Sequence, residues 1–397
     1  MLEKRKMLLY AISSILITIC ISGFGRMSYG IVMPFMRESL LLSYKQAGML
    51  ATATAFGYLI MVLLVGIMAA KWGSKRLVII GLFLLSVGLV YLFLVESYVA
   101  SLIGMVLLGI GTAFGYTPLV NIVVGWFPQN RGLMIGVLLC GMGLGTLITS
   151  SLIPIFNTIL GIDGWRYLWL FYGFITFIIM FIGIKILEDP PVPLHEKQSG
   201  DESLLREIYM DKGVMLIAVI YGLVGFAYLI PQSFLFSFML DTGIDQYQAG
   251  FVMGVGGFIS ILSGPVWGAI SDKIGREKSL GIIFFLSSIS ILIPIVHPSM
   301  IGFFFNQFLW GFTVMGMLSL TQALSTEQTD QKYAPIALGY VTIYFSIGQM
   351  LGPSLGGIII DYFGEIATVL WFCLILLILA FLLSTRLRSR EKEVRSF

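Results

Sequence analysis

Gly268-Ala269-Ile270-Ser271-Asp272-Lys273-Ile274-Gly275-Arg276-Glu277-Lys278 is a short charged break between two long apolar runs, and Gly66-Ile67-Met68-Ala69-Ala70-Lys71-Trp72-Gly73-Ser74-Lys75-Arg76 repeats it 202 residues earlier. Gly66 falls on Gly268, Lys71 on Lys273 and Gly73 on Gly275, while Asp272 falls on Ala70. The same shift lays Gly23-Phe24-Gly25-Arg26 on Gly225-Phe226-Ala227-Tyr228, Gln46-Ala47-Gly48 on Gln248-Ala249-Gly250, and Gly109 on Gly311. It holds without a gap from residue 23 to 76. Farther along it becomes 203, pairing Gly136 with Gly339 and Gly145 with Gly348. Chance similarity between apolar segments seldom keeps such a register, so the chain reads as an internal duplication.

The repeated unit is a set of membrane spans. Of the 397 residues 58% are hydrophobic and only 11% charged, with mean hydropathy +0.95. A soluble domain carries about a quarter of its residues charged, so lipid is the solvent this composition fits. Apolar runs long enough to cross a bilayer occur at 8–36, 46–70, 77–95, 98–124, 132–156, 166–187, 213–240, 247–271, 278–296, 299–324, 334–360 and 365–385. Lys4-Arg5-Lys6 before the first run superficially resembles a signal peptide, but the run is too long for one and is expected to be a retained first span. Cys20, Cys140 and Cys373 lie singly in apolar runs, and His195 and His297 in predicted loops. No disulfide framework, metal site, catalytic cluster or nucleic-acid surface is expected from them, nor any cofactor.

Twelve spans place both termini on one side. If that side is cytoplasmic, 20 of the 24 basic residues are cytoplasmic, Arg37, Lys45 and Arg166 lie outside, and Arg26 lies within a span. The positive-inside rule therefore predicts cytoplasmic termini in a cell membrane. Residues 1–187 and 213–397 are expected as two six-helix bundles of equal orientation, related by an axis along the membrane normal, with a pathway between them. Residues 188–212, rich in Pro, Ser and charge, read as a tether, and Leu204–Met210 as a short surface helix.

The 268–276 stretch resembles the G-x-x-x-D-[RK]-x-G-[RK] loop of the major facilitator superfamily, and 66–76 is similar to it with Ala70 at the acidic position. Together with twelve spans and a central linker, the resemblance covers the whole chain. It implies an all-α membrane fold and a secondary transporter working by alternating access, not an enzyme. Trp126-Phe127-Pro128-Gln129-Asn130-Arg131-Gly132, followed by Gly136, Gly141, Gly143 and Gly145, resembles the oxalate–formate and monocarboxylate porter branch. Gly25-Arg26 through Tyr29-Gly30 to Pro34, then Gln46-Ala47-Gly48, is similar to a poorly characterised bacterial branch. Gly339, Gly348, Gly352-Pro353 and Gly356-Gly357 match the spacing of an antiporter motif, though in the eleventh span rather than the fifth. The signature loop implies gating roles for Gly268, Asp272, Lys273, Gly275 and Arg276, with Asp272 locking the bundles in the outward-open state. Arg131, at the start of the fifth span, is the expected partner of Asp272. Their repeat counterparts, Ala70 and Ala334, have both lost their charge.

Arg26 carries the functional expectation. Arg37 is eleven residues on, which places Arg26 about 16 Å from the outer boundary, near the midplane. A guanidinium there costs at least ~2.5–3.5 kcal/mol unless it faces a polar cavity, where it can hold a carboxylate by two parallel hydrogen bonds. Its structural alternative is a bond to helix carbonyls or Tyr hydroxyls. Polar stripes on the spans that the resemblance assigns to the cavity would join it: Tyr29 and Met33; Thr117 and Asn121; Tyr221, Tyr228 and Gln232; Asn306, Trp310 and Thr313. Tyr340 and Tyr344 form a further stripe. Glu38, Glu96, Asp241, Asp272, Glu327 and Asp361 all sit at span ends, so coupling would use the substrate's own proton or exchange of a counter-anion. The reading is a monomeric transporter of a small organic, monocarboxylate-like anion. Its rivals are an exporter of amphipathic compounds or drugs and a transport-deficient membrane sensor.

Overall fold

The computed structural model describes residues 2–190, 209–329 and 333–387. Among them, twelve helical rods run back and forth. The first is α1 (Leu2–Thr18), a π-helical stretch Ile19–Met27, and α2 (Tyr29–Ser39). Then follow α3 (Tyr44–Trp72), α4 (Ser74–Phe93), α5 (Tyr98–Trp126), α6 (Arg131–Leu160) and α7 (Gly164–Ile186). The second set is α8 (Lys212–Asp241), α9 (Gln246–Ile274), α10 (Arg276–Val296), α11 (Met300–Glu327), α12 (Ala334–Phe363) and α13 (Ile366–Ser384). The expected surface helix at Leu204–Met210 falls largely outside the described residues; Tyr209 and Met210 are helical.

Capping explains where several rods begin. The side chains of Ser43, Ser97, Asp211, Asp245 and Ser299 accept hydrogen bonds from the first free N–H groups of α3, α5, α8, α9 and α11. Ser43 and Asp245, and Ser97 and Ser299, are 202 apart, so the repeat carries its start signals with it. The breaks between α3 and α4 and between α9 and α10 are made by Gly73 at φ 85° and Gly275 at φ 91°. Only glycine adopts such backbone without strain, which accounts for glycine at both repeat positions.

Within each set, glycines let helices touch. A Cβ on Gly23 would lie 2.6 Å from Gly145 Cα, and one on Gly348 would lie 2.7 Å from Phe226 N. The first contact joins the first and fifth rods; the second joins α8 and α12, their repeat equivalents. Between the sets, α3 packs on α12, α6 on α9, and α2 on α8. These inter-set contacts lie from the middle of the rods toward the side away from the termini. Toward the terminal side, Cβ atoms built on Gly132, Gly136, Gly264, Gly268 and Gly339 would meet nothing within 4 Å. The bundles are closed on one side and parted on the other.

Candidate functional site

The backbone around Arg26 is irregular. Ser28 N bonds Gly23 O at 3.0 Å, a π-helical step that loosens the normal ladder. Such segments cluster at functional sites. Two side chains bond carbonyls along it: Thr112 Oγ1 donates to Ile21 O at 3.2 Å, and Ser28 Oγ to Phe24 O at 2.5 Å. A third bond comes from the other bundle, where Gln232 Nε2 donates to Met27 O at 3.1 Å. Tyr228 OH lies 3.5 Å from Met27 Sδ.

Arg26 itself is half-buried. Its Nη2 donates to Gln349 Oε1 on α12 at 3.1 Å, and its Cζ lies 4.6 Å from the centre of the Tyr58 ring. Tyr116 and Tyr228 are within its electrostatic reach. No carboxylate pairs with it among the described residues: the ion pairs there are Lys6–Glu188, Arg166–Asp163 and Arg276–Glu327. The guanidinium is therefore held on two sides by neutral groups, with its charge uncompensated and N–H donors left over.

Two clefts meet here. The first is lined by Arg26, Met27, Tyr29, Thr54, Gln232 and Ser233 among others. The second is lined by Met142, Thr146, Tyr228, Ser260, Trp310 and Met315 among others. Met27 and Gln232 line both. The repeat relates them in part: Arg26 corresponds to Tyr228, Thr54 to Gly256 and Ala55 to Gly257 at 202, while Tyr58 and Gln349, the contacts of Arg26, correspond to Ser260 at 202 and Thr146 at 203.

Arg26, Tyr228, Gln232 and Trp310 thus come together. Of the other expected members only Tyr29 joins them. Asn306 is fully buried, its Nδ2 bonded to Ser290 O at 2.8 Å on α10, and Thr313 is buried against Ser287. Trp310 faces the cleft because an i,i+4 step turns a helix about 40°, enough to carry it past the boundary that Asn306 and Thr313 occupy. Tyr29 lines the first cleft, but its hydroxyl is engaged by Ala47 O at 2.7 Å. Tyr221 accepts from Gln322 at 2.8 Å. Tyr340 and Tyr344 bond each other at 3.0 Å, and Tyr209 packs on Tyr340; neither lines the two clefts. Asn121 is half-buried and has no hydrogen-bond partner among the described residues.

Sequence reading missed Tyr58, Tyr116 and Gln349. A signal existed for two of them, since Tyr58 and Gln349 sit at repeat positions whose counterparts, Ser260 and Thr146, are also polar. At the terminal side, Asp272 and Lys273 are exposed and Asp272 has no partner among the described residues; the Arg131 side chain lies outside them. Arg276 bonds Glu327 at the end of α11. Cβ atoms at Gly268 and Gly275 would meet open space.

Among curated proteins, the chain is 26% identical to human monocarboxylate transporter 11 over 322 residues, 75% of this chain. That match spans 65% of the human protein's length. It is 22% identical to the agnestins efflux protein AgnL12 of Paecilomyces divaricatus, over 96% of this chain and 88% of that one. Among solved structures, a variant of the nucleoside transporter NupG superposes with TM-score 0.81 at 14% identity, covering 97% of this chain and 100% of that one. The family model of the Major Facilitator Superfamily matches residues 15–278 and 217–397, so this multi-pass membrane protein belongs to that superfamily, as a transporter and not an enzyme.

Proposed function

We propose that the protein moves a small organic anion, a monocarboxylate-like acid, by alternating access, and that Arg26 recognises its carboxylate. The carrying observation is a midspan guanidinium with no anionic partner among the described residues, lining a cleft between the bundles. A charge at that depth is costly, and an anion entering the cleft would offset the cost while taking the free N–H donors in a bidentate grip. The name of the human relative supports the class of substrate. The clustering of inter-bundle contacts on one side supports rocking of residues 1–187 against 213–397. We place the termini, and hence the parted side, in the cytoplasm on the charge bias, which makes this the inward-open form. Asp272 and Arg131 would then meet only in the opposite form.

A second reading, export of amphipathic compounds, has the fungal efflux relative in its favour. Exchange of radiolabelled monocarboxylates in proteoliposomes tests the anion reading. Arg26→Lys keeps the charge but loses the planar fork, and should weaken half-saturation roughly tenfold. Arg26→Gln should bring exchange to background with thermal unfolding unchanged. Full affinity in Arg26→Lys, or lowered stability as the sole effect of Arg26→Gln, overturns the assignment.

A further inference from the structure

We infer that the second cleft, around Trp310, receives the apolar body of the substrate, so that the transported acid is an amphipathic monocarboxylate with a branched or aromatic tail. This rests on the Arg26 reading. The repeat relates the two clefts in part, Arg26, Thr54 and Ala55 of the first falling on Tyr228, Gly256 and Gly257 of the second, and they are furnished differently. Where one cleft has Arg26, the other has Tyr228, and the lining of the second contains no Lys, Arg or His. Its apolar wall is Met27, Met142, Met315, Val314 and the Trp310 ring, and its polar groups, Thr146, Tyr228, Gln232, Ser260 and Gln307, carry no charge. Methionines are flexible and polarisable and adapt to irregular apolar groups, and Trp gives a large flat face.

The two clefts adjoin. Met27 and Gln232 line both, and Gln232 donates to the Met27 carbonyl at this shared wall. In the proposed complex the carboxylate sits on Arg26 and the other end of the ligand extends toward Trp310, the flexible Met27 side chain giving way. A second carboxylate placed there would be desolvated with no cation to meet it. Short dicarboxylates are disfavoured by the same geometry. Acetate and formate satisfy Arg26 but leave the apolar cleft filled with water.

The test is a binding series on the purified full chain: acetate, butyrate, 3-methylbutyrate, phenylacetate, oxalate and succinate, by tryptophan fluorescence and thermal shift. Affinity should rise about fourfold per added methylene until the cleft is filled, phenylacetate should bind best, and the dicarboxylates worst. Trp310→Ala should weaken phenylacetate roughly tenfold and leave acetate unchanged. If that variant unfolds, Thr146→Leu fills the cleft from α6 and should give the same split. Equal affinity for acetate and phenylacetate, both dependent on Arg26, would overturn the tail site and leave the anion reading standing. Phenylacetate binding that depends on Trp310 but survives Arg26→Gln would overturn both, because the site would then take neutral amphiphiles.

Discussion

Along α3 and α12, a Cβ on Gly48 would strike the Pro353 carbonyl; along α9 and α6, one on Gly250 would strike the Ser150 carbonyl. Gly48 and Gly250 are 202 apart, and Ser150 and Pro353 are 203 apart, so these are the same contact made twice. At the end away from the termini the two seams differ. The α3–α12 seam ends in a carboxylate: Asp361 accepts from Tyr44 N at 3.0 Å and Lys45 N at 2.9 Å, capping the start of α3 from the opposite bundle. At the matching place on the α6–α9 seam, Thr158 meets Tyr247 OH at 2.7 Å, a neutral contact. Asp361 corresponds to Thr158, and Lys45 to Tyr247. Deeper in the membrane the pattern recurs, with Arg26–Gln349 on the first seam and Thr146 with Ser260 and methionines near the second. Duplication preserved where helices touch, because close packing tolerates only small residues there. It did not preserve charge, so one seam became charged and the other stayed uncharged. A carboxylate facing free N–H groups and the positive end of a helix is stabilised without a cation.

Four measurements can break or sharpen this contrast. The largest effect is expected at the shared geometry. Gly48→Val and Gly250→Val each force a side chain into backbone, so transport should fall to background in both. Spin labels at the exposed Leu41 and Tyr362 should report a widening of the side away from the termini in both. A silent Gly250→Val would show that only the charged seam closes the protein. Next, Asp361→Asn removes a charge-assisted cap and should shift the balance of the two states roughly threefold to tenfold toward opening of the side away from the termini. The same labels read it, and no shift would make the carboxylate ornamental.

Thr158→Val breaks the neutral contact and should move the balance less than Asp361→Asn, by about fivefold at most, since a neutral hydrogen bond contributes about 0.5–1 kcal/mol. A larger effect than Asp361→Asn would reverse the ranking of the seams. The smallest effect belongs to an acid that crosses no seam. Asp163 accepts from Ser39 at 2.8 Å and Arg166 at 3.0 Å within the first bundle, and these bonds hold its carboxyl below the usual range. With a lowered folded pKa, its contribution is complete above the unfolded value near ~4 and is lost as pH falls through the folded value. Wild type and Asp163→Asn should therefore differ slightly in thermal unfolding at neutral pH and converge in acid, with no change in the label distances at either pH.

Fold class, span number and the repeat were determined by the sequence alone, because each depends on local properties that a single chain displays. Apolar length sets the spans, and the observed rods keep within a few residues of the runs read at 46–70, 213–240 or 334–360. Gly73 and Gly275 mark the breaks by a backbone requirement that only glycine meets. Arg26 stood out for a similarly local reason, the cost of a charge in lipid. Its surroundings were decided by the tertiary structure. Gln349 is 323 residues away, and nothing in its neighbourhood says that α12 crosses the first rod at Arg26. Asn306 and Trp310 share a stripe in sequence, yet one turns to α10 and the other to the cleft, since a helical stripe is wide and only packing fixes where its boundary falls. Asp361 reads as one more acid at a span end; that it caps a helix of the other bundle follows only once the bundles close.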